Sequence, residues 1–284
     1  DYQNSELVAF MLQSIKTYAR SKRAVFAKFD PSLFLRKGLI GQEVKDQETT
    51  LAIIQSLKDC GVEWVGRTED MGETIQPRFQ ANIYKEYFTE DQLSKSTKQA
   101  IRTARNKGVE VIFGGTELLD EFAALMKKTE ARKGIHLRGR EYYEKLLTTY
   151  AGQSYITLSR INLAERLTSL KEQLKKNQAE ASRFNEKTKP GKIENNRQEK
   201  ERLEEEIQFL NQELKSGQEI VSLSGTLTLE FGGTSENVYA GMDENFRRYQ
   251  PAILTWYETA QHAFDRGADW QNMGGVENHL DGGL

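Results

Sequence analysis

Cysteine, histidine and long apolar runs are scarce in this chain, and each shortage excludes something. Cys60 is the single cysteine, so no internal disulfide forms, and its place in an apolar helical stretch reads as a small buried hydrophobe in a reducing compartment. His136, His262 and His279 are the only histidines, and they lack metal-ligand spacing. No Walker-type phosphate loop, no G-x-G-x-x-G and no serine in a nucleophile elbow is present, so nothing in the sequence points to a metal, a nucleotide cofactor or a covalent intermediate. No apolar run nears the roughly 18 residues of a membrane span, and the first residues do not read as a signal peptide. The net charge of −2 argues against a general polyanion binder; nucleic-acid contact would come from local basic clusters.

A length of 284 residues with 37% hydrophobic content suggests about two domains with real cores. The chain starts at Asp1 and stops at Gly282-Gly283-Leu284, and is expected to be part of something longer. Its most regular feature lies between Leu163 and Ser216. Leu163, Leu167, Leu170, Leu174, Asn177, Ala181 and Phe184 recur at steps of four and three, and Leu203, Ile207, Leu210 and Leu214 repeat the pattern on a return run. With Lys189-Pro190-Gly191 between the runs, the spacing predicts an antiparallel coiled-coil hairpin, an arm of about 25 residues and 35 to 40 Å. Around its tip Lys175, Lys176, Arg183, Lys187, Lys189, Lys192, Arg197, Lys200 and Arg202 outnumber the acids by about four. A solvated helical face and a phosphate-docking tip both fit this charge. Glu204, Glu205 and Glu206 lie nearer the return base.

Outside the arm, helical and strand patterns alternate. The face formed by Leu7, Phe10, Met11, Ile15 and Tyr18 predicts an amphipathic helix, followed by a strand over 24–29 that ends on Asp30-Pro31. A helix over 48–60 stops at Gly61 before a short strand over 62–65. Further strands are expected over 80–84, 109–113 and 154–161, helices over 94–106, 117–129, 140–150 and 252–266, and a β-hairpin over 219–231 and 237–242 turning on Gly232-Gly233. These make two α/β units, the second interrupted by the arm.

Several clusters could carry chemistry. Lys95, Lys98, Arg102 and Arg105 share one face of the helix capped by Ser94, with Lys107 beyond and no acid until Glu110, which suits a phosphate backbone or a plain solvated face. Arg138 precedes Tyr142 by four residues, so a helix beginning at or before Arg138 would project a guanidinium and a phenol together; Arg is well shaped for bidentate phosphate contact. Asp30 sits at a strand end before a proline, a place for either a ligand contact or a turn. The block 270–278, with Gly274-Gly275, permits close backbone approach to a ligand or a tight turn.

The run from Ser94 to Gly108, the block from Gly134 to Leu146, and Tyr239-Ala240-Gly241-Met242 through Trp270 to Asn278 together resemble the FemABX aminoacyltransferases, over essentially the whole chain. Within that family the resemblance is strongest to streptococcal members. It implies two acetyltransferase-like (GNAT-type) domains, the first over 1–80 and the second over 81–162 and 217–284, with the arm over 163–216 inserted in the second. The family takes Ala, Ser or Gly from aminoacyl-tRNA and places it on the side-chain amine of the stem-peptide lysine of a peptidoglycan precursor, here lipid II, at the inner face of the membrane. The resemblance places Arg138, Tyr142 and Tyr239 along the precursor site, with Arg138 on the diphosphate, and Asp30 near the acceptor amine. Lys95, Lys98, Arg102 and Arg105, with Lys187, Lys189 and Lys192 of the arm, become the expected tRNA contacts. No cofactor is implied, because an aminoacyl ester is already activated. The family extends beyond both ends of this chain and keeps further precursor-binding Lys and Trp positions there. An acyl-CoA-dependent N-acyltransferase and a non-catalytic coiled-coil scaffold are the alternatives; the pyrophosphate loop of the former is not evident.

Overall fold

The structure, a computed structural model, describes residues 2–31, 33–39, 42–66 and 77–276. The chain divides into two compact units, one of residues 1–81 with 275–284 and one of residues 82–274.

The first unit holds α1 (Ser5–Ser21), capped by the Asn4 side chain accepting from Leu7 N–H, and α2 (Glu48–Asp59). Its small core is Val8, Leu12 and Leu57, with Ile53, Cys60 and Val62 against it. The α1 face predicted to be buried is therefore not the buried one. Val8 and Leu12, one turn apart, face α2, while Leu7, Phe10, Met11, Ile15 and Tyr18 are exposed. The strands expected over 24–29 and 62–65 are also absent, and Val25 and Phe26 are 96% and 80% exposed. An apolar run becomes a strand only when a neighbouring ladder takes up its N–H and C=O groups, and none does so here among the described residues.

The second unit is built on a mixed six-stranded sheet in the order β1-β6-β5-β4-β3-β2. The strands are β1 (Gln80–Tyr84), β2 (Val109–Gly114), β3 (Ser154–Asn162), β4 (Ile220–Phe231), β5 (Thr234–Met242) and β6 (Trp270–Gly275). β2 to β5 pair antiparallel in succession, and β6 runs parallel to β5. The Gly-bearing block from Trp270 is thus a strand rather than a turn, and Glu277 and Asn278 lie outside the described residues. The helices are α3 (Lys95–Asn106), α4 (Leu119–Lys133), α5 (Arg140–Thr149), α6 (Leu163–Ala181), α7 (Pro190–Leu214) and α8 (Pro251–Asp265). The Ser94 hydroxyl accepts from Thr97 N–H at the start of α3. Gly134 closes α4 with φ 63°, a left-handed cap that Gly adopts without steric cost.

The two faces of the sheet differ in chemistry. Ile156, Leu158 and Leu227 pack with Leu119, Phe122, Leu125 and Met126 of α4 and with Tyr143 and Leu147 of α5. The opposite face, towards α8, is polar and hydrogen-bonded: Ser159 to Ser224 at 2.8 Å, Ser224 to Thr255 at 2.6 Å and Thr226 to Thr259 at 3.2 Å.

α6 and α7 run antiparallel, with Arg166 meeting Glu206 at one level and Asn177 meeting Asn196 at another. Leu163, Leu167, Leu170, Leu203 and Leu210 are buried between them, with Leu174, Ile207 and Leu214 at the margin. Asn177 and Asn196 exchange side-chain amide to backbone carbonyl bonds at 3.0 and 3.1 Å, a polar rung that fixes the register. Pro190 and Gly191 open α7 rather than separate the runs, because proline's missing N–H is no loss at the first position of a helix.

Candidate functional site

The loop between α4 and α5 and the middle of β5 bring one aromatic and cationic cluster together. α5 begins at Arg140 with Gly139 as its cap, so Arg138 stands before the helix, contrary to the condition under which it was expected to meet Tyr142. The contact forms nonetheless: the Arg138 guanidinium lies 5.3 Å from the centroid of the Tyr142 ring. Tyr142 meets Tyr239 edge-on at 6.1 Å and 85°. Tyr143 packs against Tyr239 at 5.0 Å and edge-on to Phe122 at 5.3 Å. Two residues beyond Tyr239, Gly241 of β5 lies close against α4, where an added Cβ would lie 2.9 Å from Met126 Sδ and 3.2 Å from the Leu125 carbonyl carbon.

The loop is ordered by Glu130, which accepts from Leu137 N–H at 3.4 Å and lies 3.1 Å from His136 Nδ1. Arg140 is neutralised by Asp120 and Glu144 at 2.5 and 2.9 Å. Arg138 forms no ion pair with a carboxylate among the described residues, and it is exposed. Burial raises the pKa of the Tyr143 phenol to about 12, reinforced by Tyr239 and Glu130. Burial first, and then the neighbouring Tyr142, also raises that of Tyr239. Both phenols therefore stay protonated donors at neutral pH. A guanidinium free of carboxylates beside protonated phenols can hold an oxyanion such as a phosphate. Tyr143 was missed in the sequence because adjacent helical residues point apart, and nothing in the spacing says which of the two tyrosines faces inward.

Asp30 lies in the other unit, exposed, on a segment that is not a strand, so the strand end expected for it is not observed.

The basic face of α3 is only partly free. Lys95 and Arg102 are exposed and join no ion pair among the described residues. Lys98 Nζ donates to the Asp91 carbonyl at 3.4 Å. Arg105 pairs with Glu258 of α8 at 2.6 Å, so the expectation that no carboxylate neutralises this helix fails there; the partner arrives from a distant helix. Lys107 donates to the Arg248 carbonyl at 2.9 Å and sits 4.8 Å from the Tyr249 ring centroid.

On the arm, Lys192 pairs with Glu180 at 2.9 Å, Arg197 with Glu194 at 2.7 Å and Arg202 with Glu199 at 2.6 Å. Lys187 and Lys189 remain exposed without an ion pair among the described residues. At the arm's base, Arg166 donates to Glu206 Oε1 through Nη2 at 2.8 Å and Nε at 3.0 Å, with the two side chains 5% and 2% exposed. The Tyr249 hydroxyl donates to the same oxygen at 2.9 Å. A signal for this pair was present: Arg166 follows Leu163 by three residues and Glu206 follows Leu203 by three, each on the seam side of its helix.

Among the described residues no cluster of His, Cys, Asp and Glu could hold a metal ion, and no helix is long and apolar enough to cross a membrane.

The chain is similar to the Lipid II:glycine glycyltransferase of Staphylococcus aureus strains USA300 and NCTC 8325 / PS 47, 26% identical over 99% of this chain and 68% of each relative. Among solved structures, the crystal structure of FemX superposes with a TM-score of 0.70 at 25% identity, covering 98% of this chain and 70% of that one. The FemAB family model matches residues 1–284, and the chain belongs to the FemAB family.

Proposed function

We propose that this protein transfers Ala or Ser from aminoacyl-tRNA to the side-chain amine of the stem-peptide lysine of lipid II, beginning a branched interpeptide bridge at the cytoplasmic face of the membrane. The observation that carries the acceptor half is the Arg138–Tyr142–Tyr239 cluster, whose guanidinium pairs with no carboxylate among the described residues and whose Tyr239 phenol is held protonated. Such a site suits the diphosphate of a lipid-linked precursor, and the staphylococcal relatives are named for lipid II.

In this reading residues 1–80 form one acetyltransferase-like domain and 81–162 with 217–284 a second, carrying the coiled-coil arm of 163–216. The lysine amine attacks the ester carbonyl, the tRNA ribose oxygen leaves, and the proton lost by the amine passes to solvent or to the departing oxygen. Asp30 orients the amine rather than acting as its base, because a carboxylate is a much weaker base than the amine whose proton it would take. Holding ester and amine in line supplies most of the acceleration. Lys95 and Arg102 of α3 and Lys187 and Lys189 of the arm are the free cations for tRNA; Lys98, Lys192 and Arg105 contribute after exchanging their present partners.

Full-length protein supplied with lipid II and a mixture of charged tRNAs tests the reading, with the product analysed by mass spectrometry. Ala or Ser on the lysine amine is expected. Glycine there would overturn the amino-acid assignment and keep the reaction, and an unmodified lysine would overturn both. Replacing residues 163–216 by a short Gly-rich turn should weaken tRNA use while sparing lipid II binding.

A further inference from the structure

The buried base of the arm joins the two basic elements nominated for RNA. Glu206 of α7 receives Arg166 of α6 at 2.8 Å and the Tyr249 hydroxyl at 2.9 Å, and Arg202 reaches its second oxygen at 3.5 Å. Tyr249 lies in the 3-10 turn Glu244–Tyr249. The next residue back in that turn, Arg248, offers its carbonyl to Lys107 at the end of α3, and its guanidinium sits 4.2 Å from the Phe209 ring centroid of α7. Apolar packing follows the same path. Ile101 and Ala104 of α3 share one buried cluster with Leu163, Leu170, Leu203 and Leu210 of the arm. Burial lowers the pKa of Lys107, and Glu206 opposes that shift, which shows the two charges within each other's field.

An ion pair this deeply buried is a poor way to gain stability, since an apolar pair of similar volume does as well or better. What it supplies is geometry. A carboxylate that must satisfy donors from α6 and from the turn behind α3 allows one angle of the arm, whereas leucines alone tolerate several.

We propose that Glu206 and Arg166 are positioning residues that hold the arm at a fixed angle to α3, so that the free cations of both elements contact one polyanion at once. The inference rests on the tRNA reading above and concerns how that partner is held. α6 alone has 19 residues, about 28 Å, so a ligand touching α3 and the arm tip together must be an extended phosphate polymer, which folded RNA is and a single nucleotide is not. Two weakly basic patches in fixed relation bind such a polymer far better than either alone.

The test is the affinity of the full-length protein for uncharged tRNA, measured by fluorescence anisotropy across a salt series. The Arg166→Met/Glu206→Met double variant keeps the volume and removes both charges; Arg166→Gln/Glu206→Gln, which likewise leaves no unpaired buried charge, is the companion should the first fail to fold. The expected result is at least about tenfold weaker binding, with the slope of log K against log salt shallower by about two phosphate contacts and thermal stability kept. A lower melting temperature with an unchanged salt slope would assign the pair a purely structural role and overturn the proposal. So would unchanged affinity in both variants. The two readings separate cleanly. Wild-type protein that binds no tRNA defeats the donor assignment itself, whereas wild-type binding that both variants retain defeats only the positioning role.

Discussion

The Arg138 guanidinium rests 5.3 Å from the Tyr142 ring centroid, although Arg138 lies outside the helix that carries Tyr142. The contact places the guanidinium beside the Tyr142 and Tyr239 phenols, with no carboxylate paired to it among the described residues. Arg138→Ala should weaken binding of a lipid II analogue by at least about tenfold, in line with roughly 1.5–3 kcal/mol for a hydrogen bond to a charged group. Stability should stay within about 0.5 kcal/mol, as expected for an exposed side chain. Isothermal titration calorimetry and a urea melt measure the two effects. Arg138→Lys should recover part of the affinity through charge and little through geometry, since an ammonium cannot make the bidentate contact.

Tyr143 is 1% exposed and its hydroxyl has no hydrogen-bond partner among the described residues. An unmet buried hydroxyl costs about 1–3 kcal/mol. Tyr143→Phe keeps the ring contacts with Phe122 and Tyr239, so the variant should be as stable as the wild type or more stable, by up to about 1 kcal/mol, when followed by chemical denaturation. A loss of more than about 1 kcal/mol would mean that the hydroxyl is satisfied in solution.

Gly241 should not tolerate a side chain. In Gly241→Ala the new methyl would meet α4 backbone at 3.2 Å and the Thr129 hydroxyl at 3.1 Å, and backbone gives way less readily than a flexible side chain. The expected cost is about 1–3 kcal/mol, typical of overpacking. Because Tyr239 is two residues away on the same strand, acceptor affinity should fall with it. A melting curve together with the calorimetric titration checks both.

Glu206 makes stability depend on pH in the acid range. Burial works to raise its pKa, but the hydrogen bond and charge of Arg166, with Lys107 and the Tyr249 hydroxyl, prevail and hold it below the ordinary glutamate value. The unfolded chain then binds the proton more readily than the folded one, so the contribution is complete above about pH 4.3 and fades as pH falls through the lower folded value. Wild-type protein should lose stability between about pH 5 and pH 3 more steeply than Glu206→Gln, as urea midpoints across that range would show. Arg166→Met alone leaves the carboxylate buried and unpaired, and should cost about 3–5 kcal/mol at neutral pH.

How far residue spacing reached can be judged from particular elements. The Ser94 cap, the leucine seam of the arm and the turn at Gly232-Gly233 were legible because a cap, a four-three repeat and a paired-glycine turn are local patterns. Two apolar runs that read as strands from their spacing are not strands, since Val25 and Val65 carry strand propensity but meet no ladder among the described residues. The amphipathic face of α1 was misassigned for a related reason: apolar residues surround much of that helix, and only the packing of Val8 and Leu12 towards Leu57 chose a side.

The sequence by itself determined the membership of elements: where helices start, which leucines line the arm, that Arg138 and its tyrosines are close along the chain, and that the whole chain resembles one family. Tertiary structure alone decided which charges are free. Arg105 is answered by Glu258 from 153 residues away, Lys107 by a backbone carbonyl, and Arg166 by a carboxylate sealed with it inside the arm's base. Periodicity specifies a side of a helix, because backbone geometry repeats locally. Whether a charge on that side meets solvent, a ligand or a partner depends on what the rest of the chain packs against it.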